Sequence, residues 1–191
     1  DVTGHGLESG MLMLMTQMGV RTLLTHDENN PVQFMDVLNR TLYHNVQRMG
    51  IDKSLTLALL DYHPQPAGGQ MWVSGQHEEL IVVRQGGMVE RVDTLDLGFP
   101  VGLDADIADF IGRRQVDLQP GDGVVLYTDG ITEAENIAGE QYGLAQLCTV
   151  IGHHWAKSAE AIKAAVIEDV RQFIGGQTVF DDITLLVLKQ K

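Results

Sequence analysis

Acidic residues stand beside glycine, or at the expected ends of strands, in three widely separated places. The chain opens Asp1-Val2-Thr3-Gly4-His5-Gly6, later reads Tyr127-Thr128-Asp129-Gly130, and near its end reads Phe180-Asp181-Asp182-Ile183-Thr184. Hard divalent cations want this pattern, with oxygen ligands at fixed positions drawn from several segments. Asp1, Asp129 and Asp181 brought together without a cation would repel one another and raise their own pKa values. Two Mg²⁺ or Mn²⁺ ions about 3.5–4 Å apart relieve that repulsion, and water polarised by them yields hydroxide near neutral pH. One carboxylate can bridge both ions, and the Val2 carbonyl can add an oxygen. The expectation is a metal-dependent hydrolase whose substrate carries phosphate. Taken singly, each Asp is explained as well by turn chemistry; the set points to metal. A fourth acidic segment, Gly139-Glu140-Gln141-Tyr142-Gly143, reads as a turn.

Histidines offer less. His5 can protonate a leaving alkoxide, or it can hold the Gly4-His5-Gly6 turn by hydrogen bonding, the slightly favoured role. His77, within Ser74-Gly75-Gln76-His77-Glu78-Glu79, reads as a turn residue between strands, and His153-His154 as a helix end. The chain has no His-Glu-x-x-His, no Gly-x-Ser-x-Gly and no Walker-type Gly-Lys-Ser/Thr, which removes zincins, serine esterases and P-loop enzymes.

The elements that must position these residues follow from periodicity. Leu7, Met11, Leu14, Met18 and Leu23 recur at helical spacing from Gly6 to about Thr25, and this Met-rich stripe is expected to face the core. Asn30-Pro31-Val32-Gln33 is a helix start, with Asn as cap and Pro in the first turn. Phe34, Leu38, Leu42, Val46 and Met49 share one face, and Gly50 stops the helix. Ser54 to Tyr62 suits a buried strand, and His63 to Gly69, with two prolines, a loop. Strands are expected over Gln70–Ser74, Glu79–Arg84 and Met88–Val92, the last two joined at Gln85-Gly86-Gly87. Another should cover about Phe110–Leu118. Val124 to Thr128 is a core strand delivering Asp129 at its end. Two helices follow, the longer capped by Ser158 and ended by Gly175. Ile183 to Leu188 is a last core strand. Helix pairs bracketing hairpin-linked strands, without regular βα alternation, indicate an α+β layered fold.

With 191 residues, 44% of them apolar, the chain is most simply one domain with a real core. Acidic residues number 26 against 13 basic ones, a net charge of −13. This balance, with no basic cluster, argues against nucleic acid and against direct contact with anionic membrane. Cys148 is the only cysteine, which excludes an internal disulfide and a thiolate zinc cluster and suits a reducing, cytoplasmic setting. No signal peptide and no apolar run near 20 residues is present. The sequence lacks an initiator Met and begins inside a candidate site, so a fragment of a longer protein is expected.

Four blocks carry a resemblance that runs essentially from end to end: Asp1 to Gly6, Leu118-Gln119-Pro120-Gly121-Asp122-Gly123 through Thr132-Glu133-Ala134, Gly139 to Gly143, and Asp181-Asp182-Ile183-Thr184. They resemble the metal-dependent protein phosphatase family (PPM, phosphatase 2C-like), in its bacterial SpoIIE/RsbU-like branch. The long block is highly specific. The resemblance implies one PPM-type phosphatase domain over residues 1–191, N-terminally truncated. Its fold would be a sandwich of two antiparallel β-sheets flanked by helix pairs (α-β-β-α layers), with the N-terminal strands missing. It implies Mn²⁺- or Mg²⁺-dependent hydrolysis of phosphoserine or phosphothreonine through a water activated by two metal ions. The implied substrate is a phosphorylated anti-sigma-factor antagonist, with a sensor or receiver domain fused upstream. By motif position Asp1 bridges the metals beside the Val2 carbonyl, Asp129 and Asp181 are further ligands, and Asp182 is a secondary candidate. The family's upstream acidic residue is absent, and Ser74-Gly75-Gln76-His77-Glu78-Glu79 replaces the usual Asn-Ala-Gly-His-x-Pro. A non-catalytic module gripping a signalling partner and a nucleotide or small-ester hydrolase are the alternatives.

Overall fold

The second helix shows how directly local sequence sets this structure. In the computed structural model, which describes residues 1–26, 28–177 and 182–191, α1 spans Leu7–Thr25 and α2 spans Pro31–Met49. The Asn30 side chain accepts from the amides of Val32 and Gln33, and Pro31 occupies the first turn, where its missing N–H costs nothing. Gly50 ends α2 in the left-handed conformation at φ 65°. Phe34, Leu38, Leu42 and Val46 are buried on one face, as their spacing predicts.

The strands are β1 Leu59–Gln65, β2 Gly68–Ser74, β3 Leu80–Val83, β4 Val89–Val92, β5 Arg114–Leu118, β6 Gly123–Tyr127 and β7 Leu185–Lys189. Short 3₁₀ turns lie at Leu95–Leu97 and Ala108–Phe110, and three helices complete the set: α3 Asp129–Thr132, α4 Gly143–His154 and α5 Ala159–Ile174. One sheet has the order β1-β2-β5 and the other β4-β3-β6-β7. In the second, β3 pairs antiparallel with β4 and β6, and β6 with β7, in the register Tyr127↔Leu185. The α+β class stands.

The described chain divides into two compact units. One holds residues 1–62, 71–77 and 94–116; the other holds residues 63–70, 78–93 and 117–191. The first buries Leu12, Phe34, Met35, Leu38, Leu42, Val46, Leu55, Val101 and Ile107. The second packs α4 and α5 on its sheet through Ile81, Val83, Val125, Tyr127, Ile151, Ile162, Val166 and Val170, among others. Cys148, half-buried, joins that cluster. Ser158 caps α5 by accepting from the Ala161 amide. Among the described residues no helix is long and apolar enough to cross a membrane.

Three expectations are corrected. Most of the Met-rich stripe of α1 is not core: Leu7, Met11, Leu14 and Met18 are 81%, 41%, 56% and 66% exposed, while Leu23 at its end packs against the core. Leu12 is buried instead, on the stripe that contains Gly19, where a Cβ would stand 2.6 Å from Leu38 Cδ1. The smallest side chain lets α2 approach, and that contact sets the inward face. The stretch expected as a loop, His63 to Gly69, is mostly strand; only Pro66 and Ala67 turn. Pro64 is tolerated because β1 is an edge strand, where a missing amide breaks no ladder. Finally, the ladder of β1 begins at Leu59, whereas Leu55 makes isolated bridges to Val2 and Val101.

Candidate metal centre

In the first unit, Asp1 is held by its backbone. Its nitrogen donates to the Thr56 carbonyl at 2.9 Å, and its carbonyl accepts from the Thr56 amide at 2.8 Å. Val2 bridges to Leu55, and the Thr3 amide donates to the Ser54 carbonyl at 3.0 Å. Residues 1–3 therefore pair antiparallel with 54–56. On the far side of Leu55, its amide and carbonyl pair with Val101 at 3.0 and 2.8 Å. Asn39, fully buried on α2, fixes the next residues: its Oδ1 accepts from the Gly102 amide at 2.8 Å and its Nδ2 donates to the Asp104 carbonyl at 2.9 Å. A continuous hydrogen-bonded path thus runs from α2 to the backbone of Asp1. Asp1 itself is exposed and Val2 half-buried. His5 is exposed, and no hydrogen bond among the described residues reaches its ring, so the turn-holding role is not what the structure shows.

In the second unit, β6 is a largely buried strand ending at Tyr127, and Thr128 follows it. The Thr128 amide donates to the Thr184 carbonyl at 3.2 Å, its hydroxyl donates to the Asp182 carbonyl at 3.0 Å, and the Thr184 amide donates to that hydroxyl at 3.1 Å. These bonds fasten the segment carrying Asp182 to the strand that delivers Asp129. Asp129 opens α3, where its carbonyl accepts from the Glu133 amide at 2.7 Å. The Asp129 Oδ1 is buried and has no hydrogen-bond partner among the described residues. Such an oxygen costs free energy unless something electropositive satisfies it. Asp182 is exposed. Asp181 lies outside the described residues.

Two acidic residues near Asp129 escape sequence reasoning. Burial pushes the Glu78 carboxyl above its ordinary range, and the charges of Asp129, Glu133 and Glu79 add to that shift. Glu133 had a legible signal, since it follows Asp129 by four positions and shares its helical face. Glu78 had none, because its approach is tertiary. Among the described residues, no group of three His, Cys, Asp or Glu side chains is placed to hold an ion. The donor chemistry nevertheless fits one: among the described residues a buried carboxylate oxygen lacks a partner and sits near mutually repelling acids, which a divalent cation would relieve.

The family model for Stage II sporulation protein E (SpoIIE) matches residues 1–191. The chain belongs to the SpoIIE family. Among curated relatives of this SpoIIE-family chain, phosphoserine phosphatase RsbU of Bacillus subtilis (strain 168) is 24% identical over 193 residues, covering 100% of the chain and 54% of RsbU. The chain spans about half, or less, of the length of the curated relatives it matches. Among solved structures, the SiaA-PP2C domain of Pseudomonas aeruginosa superimposes with a TM-score of 0.75 at 16% identity, over 99% of this chain and 73% of that one. The catalytic domain of the serine/threonine phosphatase PstP, in complex with two manganese ions, gives 0.64 at 12% identity, over 99% and 85%. These likenesses show that the SpoIIE-family chain has the fold of PP2C phosphatase domains.

Proposed function

We propose that the chain is a metal-dependent phosphoserine/phosphothreonine protein phosphatase. The observation that carries the reading is the buried Asp129 oxygen, which has no partner among the described residues and lies just past the end of a core strand. Membership of the SpoIIE family and the likeness to RsbU, named a phosphoserine phosphatase, support it.

In this reading Asp1, the Val2 carbonyl, Asp129 and Asp181 hold two divalent cations, with Asp182 as the secondary ligand. Manganese is the first choice, since the PstP structure holds two manganese ions. When bound, such cations supply hydroxide from water near neutral pH and offset the charge of the phosphoryl group. Asp1 and Asp129 orient the reaction. Hydrolysis would exchange the bond from phosphorus to the seryl or threonyl oxygen for one to a water oxygen, at a site held by Asp1, Val2, Asp129 and Asp181. His5, exposed and unencumbered, protonates that leaving oxygen. The products are inorganic phosphate and the free hydroxyl side chain.

The SpoIIE/RsbU likeness supports a phosphorylated anti-sigma-factor antagonist as substrate, and a sensor or receiver domain as the neighbour in the longer protein. The net charge of −13 and the lone cysteine support a cytosolic setting without nucleic-acid or membrane contact. The test is phosphate release from a phosphoserine peptide, with and without Mn²⁺, beside a nucleotide. Mn²⁺-dependent release favouring the peptide supports the reading. Faster nucleotide hydrolysis points to the small-ester alternative, and Mn²⁺ binding without release from either substrate points to a non-catalytic module.

A further inference from the structure

His77 belongs to a bracket whose other members are two threonines. Its Nδ1 lies 2.8 Å from the Thr56 hydroxyl. Its amide donates to the Thr94 hydroxyl at 3.0 Å, and that hydroxyl donates back to the His77 carbonyl. Thr94 is buried, so the backbone of His77 is fixed from within. The residue before it is fixed as well, since the Gln76 carbonyl accepts from the Leu57 amide at 2.9 Å. Gly75 permits this approach: its φ is +90°, and a Cβ there would stand 2.1 Å from the Leu57 carbonyl oxygen. Thr56 is the residue whose amide and carbonyl both pair with Asp1. A ring whose backbone is held from behind therefore grips the side chain of a residue that pairs twice with Asp1.

We propose that His77 is a positioning residue for Asp1. Through the Thr56 hydroxyl it fixes the Thr56 peptide, and that peptide, paired with the Asp1 backbone, sets where Asp1 presents its carboxylate to a divalent cation. The proposal rests on the reading of Asp1 as a metal ligand. Support of this kind changes metal affinity more than it changes fold, because a ligand held in place loses less freedom on binding.

The contact is made through Nδ1, which allows a sharp test. Asn places a polar atom near the position of Nδ1, whereas Gln places one near Nε2. The full chain is compared with His77→Asn, His77→Gln, Thr56→Ser, Thr56→Val and the double variant His77→Gln/Thr56→Val. Two readouts are taken: amide exchange at Thr56 in metal-free protein, and Mn²⁺ affinity by calorimetry. His77→Gln and Thr56→Val should each speed Thr56 exchange about fivefold, as loss of one hydrogen bond would. Each should weaken Mn²⁺ binding by about 10-fold, the usual loss when a ligand's support is removed. The double variant should be no worse than either, and His77→Asn and Thr56→Ser should stay near wild type. Unchanged Thr56 exchange in Thr56→Val and His77→Gln overturns the bracket. The reverse ranking, with Gln retained and Asn lost, overturns it in favour of a direct role for Nε2. Faster Thr56 exchange in these variants, combined with a wild type that binds no Mn²⁺, instead overturns the metal reading of Asp1, and with it the proposed purpose of the bracket.

Discussion

Asn39→Ala should destabilise the first unit by an amount that follows from what the side chain satisfies. Asn39 has no solvent exposure, and its Oδ1 is the acceptor for the Gly102 amide at 2.8 Å. Its Nδ2 serves the carbonyls of Asp104 at 2.9 Å and Ala105 at 3.4 Å. Asp104 and Ala105 are exposed, so water can replace those two bonds. Gly102 is buried, so its N–H is left unsatisfied. One stranded donor costs about 1–3 kcal/mol, and the space vacated by the amide adds to that. We expect a loss of about 2–4 kcal/mol, large beside a total stability of about 5–15 kcal/mol. Equilibrium urea unfolding reads this as a lower midpoint at unchanged slope. Asn45→Ala is the control, since that side chain only back-bonds to Thr41 within α2 and should cost under about 0.5 kcal/mol. The same change should loosen the path toward Asp1, seen as faster amide exchange at Leu55 and Val101, which pair with each other. A loss no larger than that of Asn45→Ala, or unchanged exchange at Leu55, would refute the path from α2 to Asp1.

Other consequences are equally direct. Asp122 is buried, and burial alone would raise its pKa. Hydrogen bonds from the amides of Gln119 and Gln85, together with Arg84, outweigh burial and hold its carboxyl below the ordinary range. Stability from this depressed pKa is present above the unfolded value and is lost as pH falls through the folded one. Asp122→Asn should therefore flatten the loss of stability seen below about pH 4 in acid titration, while lowering stability at neutral pH. A steep acid loss that survives in the variant counts against the network. On α1, Met11→Gln, Leu14→Gln and Met18→Gln should each change stability by less than about 0.5 kcal/mol, whereas Leu12→Ala should cost about 2–5 kcal/mol. Reversal of that order in urea unfolding would restore the Met-rich stripe to the core.

Much of the fold was legible where a signal is local. Asn30, Pro31 and Gly50 bound α2 through capping chemistry that needs no tertiary context. Gln85-Gly86-Gly87 makes the hairpin because both glycines adopt positive φ. Signals failed where two local patterns competed. On α1 the residues Leu7, Met11, Leu14 and Met18 made as good a helical stripe as the one containing Leu12, and only the close approach of Leu38 at Gly19 decides between them. Pro64 and Gly68 broke the expected strand on paper. In the fold Pro64 lies on an edge, and Gly68 lies where a Cβ would stand 2.2 Å from the Leu118 carbonyl, so β2 needs a glycine there. The acidic motifs told which residues to watch, because carboxylates beside turns and strand ends are a local feature. They did not tell what holds them. Thr56, Thr94 and Asn39 act through contacts 17 to 65 residues apart in sequence, which no spacing rule anticipates.

The central claim is that Asp129 binds a divalent cation needed to release phosphate from a phosphorylated protein side chain. Its most direct test is a Mn²⁺ titration of phosphate release from a phosphoserine peptide by the full chain and by Asp129→Asn. The account predicts Mn²⁺-dependent release by wild type and at least about a tenfold loss in the variant, since even a ligand's support is worth that much, with the variant still folded. Equal, metal-independent rates for both proteins would contradict it.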